Sequence, residues 1–428
     1  MKKIILFLGI ICILLAGCGK KDKQVRLLIT TWEKDEESVY MRAHVKRFEE
    51  LHPNIKVDVE DCVPWNRMLS KLMITTAGHR SPDVARISSE WFIPLAAKHV
   101  LVPLNDLIEK DNFDIGDFYE TALDSCTYDG TLYCLPVALD AYGIYYNKKM
   151  FDDAGVPYPD DTWTYDDFVK ACQKIGGDYD GDGRQDHWGA ALWPWNTYLL
   201  AFDGDVLTPD HSKCAVTSEN GIAGFQFMVD LIHKYRACPT NEDSANFDKF
   251  RLFTSGKVAM TAGGCWWGDT CTREAPTIDF DVAPMPKGPR GTRATTLASD
   301  SFAVMTQSKH KEEAWLLARW MTEQDYMREA IKGNQIIPAR KSMAKEFVSL
   351  HRKPYNKQVF IDALADKNTK GWIVTKVVCA SEIMQVLGSA AEKMRLNRPG
   401  ESVKSIAEDA AESVNTILKA EQENNNNK

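Results

Sequence analysis

The chain has 428 residues, with 52 Lys and Arg against 60 Asp and Glu, a formal charge of -8, and 44% hydrophobic residues. That length buries a substantial core and suits two lobes better than one. The acidic surplus argues against a nucleic-acid partner, whose phosphate backbone calls for a basic surface.

The chain opens on "MKKIILFLGIICILLAGC". Lys2 and Lys3 precede an apolar run from Ile4 to Ala16, shorter than the roughly 18 residues a spanning helix needs. A basic start, a short apolar stretch and the small pair Ala16 and Gly17 read as an export signal over 1–17. A buried N-terminal helix is the alternative. The ending "LLAGC" resembles a bacterial lipoprotein box, which implies cleavage before Cys18, lipidation of Cys18 and a polar tether over 18–23. One acyl chain holds a protein only marginally, so such an anchor calls for two or more. Loss of Lys2 and Lys3 with the signal takes the charge from -8 to -10. Nine cysteines follow Cys18, without a CxxC spacing, which disfavours a zinc ribbon. Cys126 with Cys134, or Cys265 with Cys271, are close enough in sequence for local disulfides.

The body begins with "VRLLITTW", a short apolar run suited to a buried strand. "SVYMRAHVKRFEELHP" has helical spacing through Val39, Ala43, Val45 and Phe48, and Pro53 stops it. "IKVDVE" alternates as a strand, "WNRMLSKLMITTAG" is helical up to Gly78, and "SPDVARIS" gives another strand. "ALDAYGIYYNKKMFDDAG" is a strand turning into a helix. "TWTYDDFVKACQKIGG" offers Thr162 or Thr164 as N-cap and Gly176 as stop. "GIAGFQFMVDLIHKY" and "KHKEEAWLLARWMTEQDYMREAI" are helical, with Trp315 and Trp320 read as core. Two further helical stripes run through Ile383, Val386, Leu387 and Ala391, and through Val403, Ile406, Ala410, Val414 and Ile417. Strands alternating with amphipathic helices predict an α/β architecture with largely parallel sheets.

The order of "LLITTW", "FEELHPNIKVDV", "SPDVARIS", "LVPLNDLI", "YYNKKMFDDAG" with a following "TW", "LFTSGKVAMTAGGCWW" and "DVAPMPKGP" resembles the extracellular solute-binding proteins of carbohydrate ABC importers, the family typified by maltose-binding protein. The likeness covers nearly the whole mature chain. It implies a two-lobed periplasmic-binding-protein-like α/β fold with interleaved lobes and three hinge crossings. One lobe is expected over 24–137 and 288–338, the other over 138–287 and 339–425. The crossings fall near Pro136 to Asp140, Pro284 to Gly288 and Ile337 to Arg340. The resemblance implies a monomer without enzymatic activity that catches a carbohydrate outside the cell and delivers it to permease subunits by lobe closure.

A sugar presents hydroxyls around partly apolar ring faces, so its site wants flat aromatics beside carboxylates, amides and arginine. Mapped through the resemblance, the candidates are Trp32, Glu33, Trp65, Ser89, Asp140, Tyr142, Trp193, Trp195, Trp266, Trp267, Asp269, Arg340 and Trp372. Each has a structural alternative. Trp65 can pack under a loop, Trp267 can be the buried neighbour of Trp266, Glu33 can cap a helix, and Arg340 can form a salt link between lobes. Asp83 is read as holding its loop.

In "GGDYDGDGRQDHWGA", Asp178, Asp180 and Asp182 stand at positions one, three and five of a calcium loop. Gly183 is at six, the Arg184 carbonyl at seven and Asp186 at nine. Gly189 stands where a complete loop has its bidentate glutamate, so an unmetallated acidic turn is the alternative to a structural Ca2+ site. Two other functions compete with sugar capture. A secreted glycoside hydrolase would need two carboxylates, such as Glu33 and Asp140, across one sugar bond. An adhesin or carbohydrate sensor could use the same fold.

Overall fold

In a computed structural model, residues 24–244, 247–333, 335–371 and 377–426 are described. Cys18, the tether and Trp372 therefore lie outside the described residues. The chain first lays down β1 (Val25–Thr30), β2 (Ile55–Glu60) and β3 (Val84–Ser88), with β1 parallel to both neighbours. A helix over Asp35–Leu51 separates β1 from β2. Its inner stripe is Met41, His44, Val45 and Phe48, while Val39 and Ala43 face solvent. The stripe runs at i, i+3, i+4 and i+7, which puts all four on one face. His44 fits there because its ring stacks on Trp320 at 4.6 Å and its Nε2 lies 3.0 Å from the Trp320 carbonyl.

A short hairpin, β4 (Thr127–Tyr128) with β5 (Thr131–Leu132), leads into β6 (Leu135–Asp140), which still belongs to the first sheet. Two residues later β7 (Gly143–Asn147) lies in a second sheet. There it joins β8 (Trp188–Ala190), β9 (Val258–Gly263) and β10 (Phe280–Ala283). Between β7 and β8, the helix Tyr165–Ile175 starts at a capping box of Thr164 and Asp167, so Thr164 rather than Thr162 is the cap. The return passes through β11 (Arg293–Thr295) and β12 (Ala298–Val304), then β13 (Ile337–Pro338). Finally β14 (Thr369–Gly371) pairs with β11. The helices Ala380–Leu396 and Val403–Asn426 pack together on the second lobe, burying Ile383, Leu387, Ile406 and Val414.

The first sheet has the order β13-β6-β12-β3-β1-β2 and the second β10-β7-β9-β8. Both are mixed, which corrects the expectation of largely parallel sheets. β12 runs antiparallel to both β3 and β6, and β7 runs antiparallel to β9 and β10. A crossover helix forces parallel neighbours. Strands that enter a sheet from the other lobe carry no such constraint.

The chain changes sheets at Ala141 and Tyr142, and again at Thr296 and Leu297. Residues just after 287 stay against the second lobe. Thr292 Oγ1 donates to Asp203 at 2.7 Å, and Gly288 abuts the Ala201 carbonyl so closely that a Cβ would lie 1.7 Å from its oxygen. Residues after 338 stay with the first lobe for some way, since Lys341 N and Ser342 both bond Asp117 and Phe347 is buried. Asp83 holds its loop as expected, accepting from Leu28 N at 2.8 Å and from Ser308 at 2.6 Å. Trp315 is core, with its indole N–H on Asp111. Among the described residues no disulfide is formed, and Cys126 and Cys134 are buried thiols.

Candidate functional site

A cleft of about 650 Å³ opens beside the first passage between sheets, within the range of small-ligand sites. The ends of β1, β3, β6 and β12 deliver Trp32 and Glu33, Ser88 and Glu90, Asp140, and Asp300 to it. The second lobe supplies Trp266 from the loop after β9, and Tyr142 comes from the passage itself. Trp65, at the start of the helix Trp65–Ala77, is 41% exposed and stands at the rim. A groove of similar volume along Lys404, Glu408, Asn415 and Lys419 is far more open and lined by solvent-facing helix side chains. It lacks the aromatic rings of the cleft.

The Trp266 ring lies directly over Gly264, where a Cβ would come within 2.1 Å of it. It meets Tyr142 edge-on at 5.9 Å. Tyr142 is fixed through its backbone, with N donating to Thr295 Oγ1 at 2.7 Å and O accepting from the same hydroxyl at 3.0 Å. Across the cleft, Trp32 packs edge-on against Trp91 at 6.1 Å and lies under the Arg86 guanidinium, 4.6 Å from ring centre to Cζ.

Arg86 is the electrostatic centre. It comes from the middle of β3, is nearly fully buried, and bridges Glu33 through Nη1 and Asp300 through Nη2, the latter at 3.0 Å. Tyr326 donates its hydroxyl to Glu33 Oε1 at 3.3 Å. Burial works against the Arg86 charge, but Glu33 and Asp300 outweigh it and hold the guanidinium more firmly protonated than usual. The carboxylates respond in the opposite direction. Burial raises Glu37 and Glu90 each to about 7; Asp300 adds to the rise at both, and Arg86 restrains Glu37. Asp300 itself stands at about 6, raised by burial and restrained by Arg86. Asp140 lies well above the usual carboxylate range through burial and the charges of Asp300 and Glu90.

The structure brings Trp32, Glu33, Trp65, Asp140, Tyr142 and Trp266 to one cleft. It places other candidates elsewhere. Ser89 is buried, accepting from Ser299 N at 2.9 Å, and its neighbour Ser88 faces the cleft instead. Trp193 is 3% exposed and packs in the second core between Phe168 at 4.9 Å and Tyr198 at 6.0 Å. Trp195 packs on Phe225 at 5.8 Å. Trp267 backs onto Gly263, Tyr145 and Phe250, so it is the neighbour of Trp266 behind the cleft. Asp269 is taken up by Arg273 and Arg352. Arg340 bonds the Thr322 carbonyl at 3.0 Å, pairs with Asp117 at 3.4 Å and covers Phe118, which ties it within the first lobe.

Sequence reasoning left out Arg86, Asp300, Glu37 and Tyr326 as site residues. A usable signal was present: "VARIS" and "ASDSFAV" each carry a charge inside an apolar strand, and a buried charge needs a partner.

Away from the cleft, Asp178, Asp180 and Asp182 offer carboxylate oxygens that lie within 4.8 Å of one another, an exposed group able to hold a metal ion. Gly181 and Gly183 take φ of 81° and 88°, which curls the loop. Asp178 accepts from Gly181 N and Gly183 N, and Asp182 accepts from Arg184 N. Asp186 stands outside the group of three, accepting from Tyr179 N at 2.9 Å and paired with His187.

Two α/β lobes about a cleft of aromatic rings and carboxylates define the class of two-lobed ligand-binding proteins. The chain belongs to the family of bacterial extracellular solute-binding proteins, which matches residues 33–328. Its members bind solutes and do not catalyse. The chain is 27% identical over 395 residues to a Brucella abortus protein described no further than as a binding protein, covering 89% of this chain and 90% of that one. It is 25% identical over 327 residues to an arabinooligosaccharide-binding protein of Bacillus subtilis, covering 71% and 72%. Its fold is similar to that of an ABC substrate-binding protein of Listeria monocytogenes solved with cycloalternan, with a TM-score of 0.82 and 23% identity over 92% of this chain and 99% of that one.

Proposed function

We propose that this protein binds an extracellular carbohydrate, a di- or oligosaccharide, in the cleft and delivers it to the permease of an ABC importer. The observation that carries the reading is the pairing of Trp266 and Tyr142 from one side with Trp32 and the Arg86, Glu33, Asp300 triad from the other. Flat rings cover sugar faces, and charged groups accept from or donate to hydroxyls. Curated relatives named for arabinooligosaccharide, maltotriose and galactooligosaccharide binding support the ligand class. The lobes swing about the passages between them, and ligand favours the closed arrangement by bonding both sides. A thermal-shift screen of mono-, di- and oligosaccharides on the chain lacking residues 1–18 tests the reading. Stabilisation by an oligosaccharide supports it, and indifference to every sugar contradicts it.

Three further assignments belong to the same reading. Cys18 carries the lipid anchor, which replacement by serine and loss of lipid labelling would establish. The Asp178, Asp180 and Asp182 loop holds a structural Ca2+, with Arg184 and Asp186 shaping the turn. The carrier acts as a monomer, and calibrated gel filtration with light scattering checks that state.

A further inference from the structure

Five carboxylates line the cleft: Glu33, Glu37, Glu90, Asp140 and Asp300. One buried cation, Arg86, answers them, and it is already shared between Glu33 and Asp300. Lys34 lines the cleft from an exposed position. Lys249 is not among the residues lining the cleft; its Nζ stands 5.1 Å from the Tyr142 ring and 5.1 Å from the Trp267 ring. The other titratable groups facing the acids are the hydroxyls of Tyr40, Tyr142 and Tyr326 and the thiol of Cys62, with Cys265 close to Asp140. None of these supplies a positive charge.

A neutral sugar needs one or two carboxylates to accept hydrogen bonds from its hydroxyls, and it offers the others no counter-charge, so they stay protonated near neutral pH. A second observation concerns hydrogen bonding at the Glu33–Arg86 pair, which leaves Arg86 Nε as well as one Glu33 oxygen unpartnered. Glu33 is 1% exposed, and its Oε2 is buried without a hydrogen-bond partner. Buried polar atoms of native proteins are ordinarily paired, and an unpaired carboxylate oxygen is costly. A protonated amine is a compact donor of three hydrogen bonds with a full positive charge, which meets both requirements at once.

We propose that the cleft is built for a saccharide carrying a protonated amino group, held among the carboxylates of Glu33, Glu37, Glu90 and Asp140 while Trp266 and Trp32 cover the ring faces. This rests on the carbohydrate reading above and narrows its substrate class. The ammonium takes the place of protons that Glu37 and Glu90 otherwise retain near neutral pH. Binding therefore releases protons to solvent, whereas a neutral sugar leaves them in place.

The test is calorimetric titration of the chain lacking residues 1–18 at pH 6.5. Glucosamine, galactosamine, mannosamine and a glucosamine trimer serve as probes, each beside its N-acetyl and plain hydroxyl counterpart. The expected result is an amine-bearing probe bound at least tenfold more tightly than both counterparts. Repetition in two buffers of different protonation enthalpy should show proton release. Glu90→Gln and Glu37→Gln should each narrow the preference for the amine, and circular dichroism verifies that the variants are folded. If a hydroxyl or N-acetyl counterpart binds as tightly as the amine, the inference is overturned and the carbohydrate reading stands. If no saccharide in the panel or in the wider neutral screen binds, both fall together.

Discussion

The indole of Trp266 occupies the space that a side chain at position 264 would fill: a Cβ added to Gly264 would sit 2.1 Å from the ring. The orientation of the ring thus depends on a missing methyl group two residues away. Gly264→Ala forces the ring or the backbone to move, and overpacking of this kind costs about 1–3 kcal/mol of stability. It should also weaken saccharide binding by about tenfold, or roughly 1.4 kcal/mol. In a Trp266→Ala background the same glycine change should have no further effect on affinity. Calorimetry on the four members of that cycle checks the coupling. Additive losses would mean that Gly264 does not act through the ring.

Trp193 provides the contrast, since it is an aromatic of the same kind buried in the second core against Phe168 and Tyr198. Trp193→Ala should lose about 3–5 kcal/mol of folding stability, measured by urea denaturation. The protein that remains folded should keep its saccharide affinity. A variant that folds normally but no longer binds would return Trp193 to the site.

The acidic cleft makes the ligand-free protein sensitive to pH. Glu37 and Glu90 have folded-state values near 7, raised by burial above their ordinary range. Between about pH 4.5 and 7 the folded state holds more protons than the unfolded one, so stability falls as pH rises through that window. The ligand-free chain should therefore melt higher at pH 5 than at pH 7.5. Glu90→Gln, which removes one of the raised groups, should flatten the slope and raise stability at pH 7.5. Differential scanning calorimetry across the window checks both, and an unchanged slope in Glu90→Gln would contradict the assignment.

Calcium should act on stability and not on recognition. Binding confined to the folded state stabilises it by mass action, by about 2.7 kcal/mol at a hundredfold excess over Kd. Wild type should melt higher with calcium than with chelator, and Asp178→Asn combined with Asp182→Asn should show no such difference. Saccharide titrations with and without calcium should coincide. A sharp fall in affinity on chelation at constant stability would place the metal's effect in the cleft.

What the sequence disclosed depended on whether a residue's environment is local. Trp266 follows directly from the local pattern "LFTSGKVAMTAGGCWW", and Asp140 and Tyr142 stood at or just past an expected crossing. Arg86 and Asp300 belong to one ion pair but are 214 residues apart, and only the antiparallel pairing of β12 with β3 makes them neighbours. Trp193 was a candidate site aromatic, and its burial escaped because it is set by Phe168 and Tyr198 on separate helices. Arg340 sat at a crossing in sequence, yet the backbone there stays with Asp117 of the first lobe. Strand direction escaped for the same reason: the pattern of apolar residues records which face is buried, not from which end a strand enters its sheet.

The central claim is that saccharide is held in the cleft against the Trp266 ring. Isothermal titration of wild type and Trp266→Ala with the saccharide identified by thermal shift tests it most directly. The account predicts binding by wild type, a loss of more than tenfold (about 1.4 kcal/mol or more) in the variant, and near-equal stability of the two ligand-free proteins. Equal affinity of the two proteins for that saccharide would contradict it.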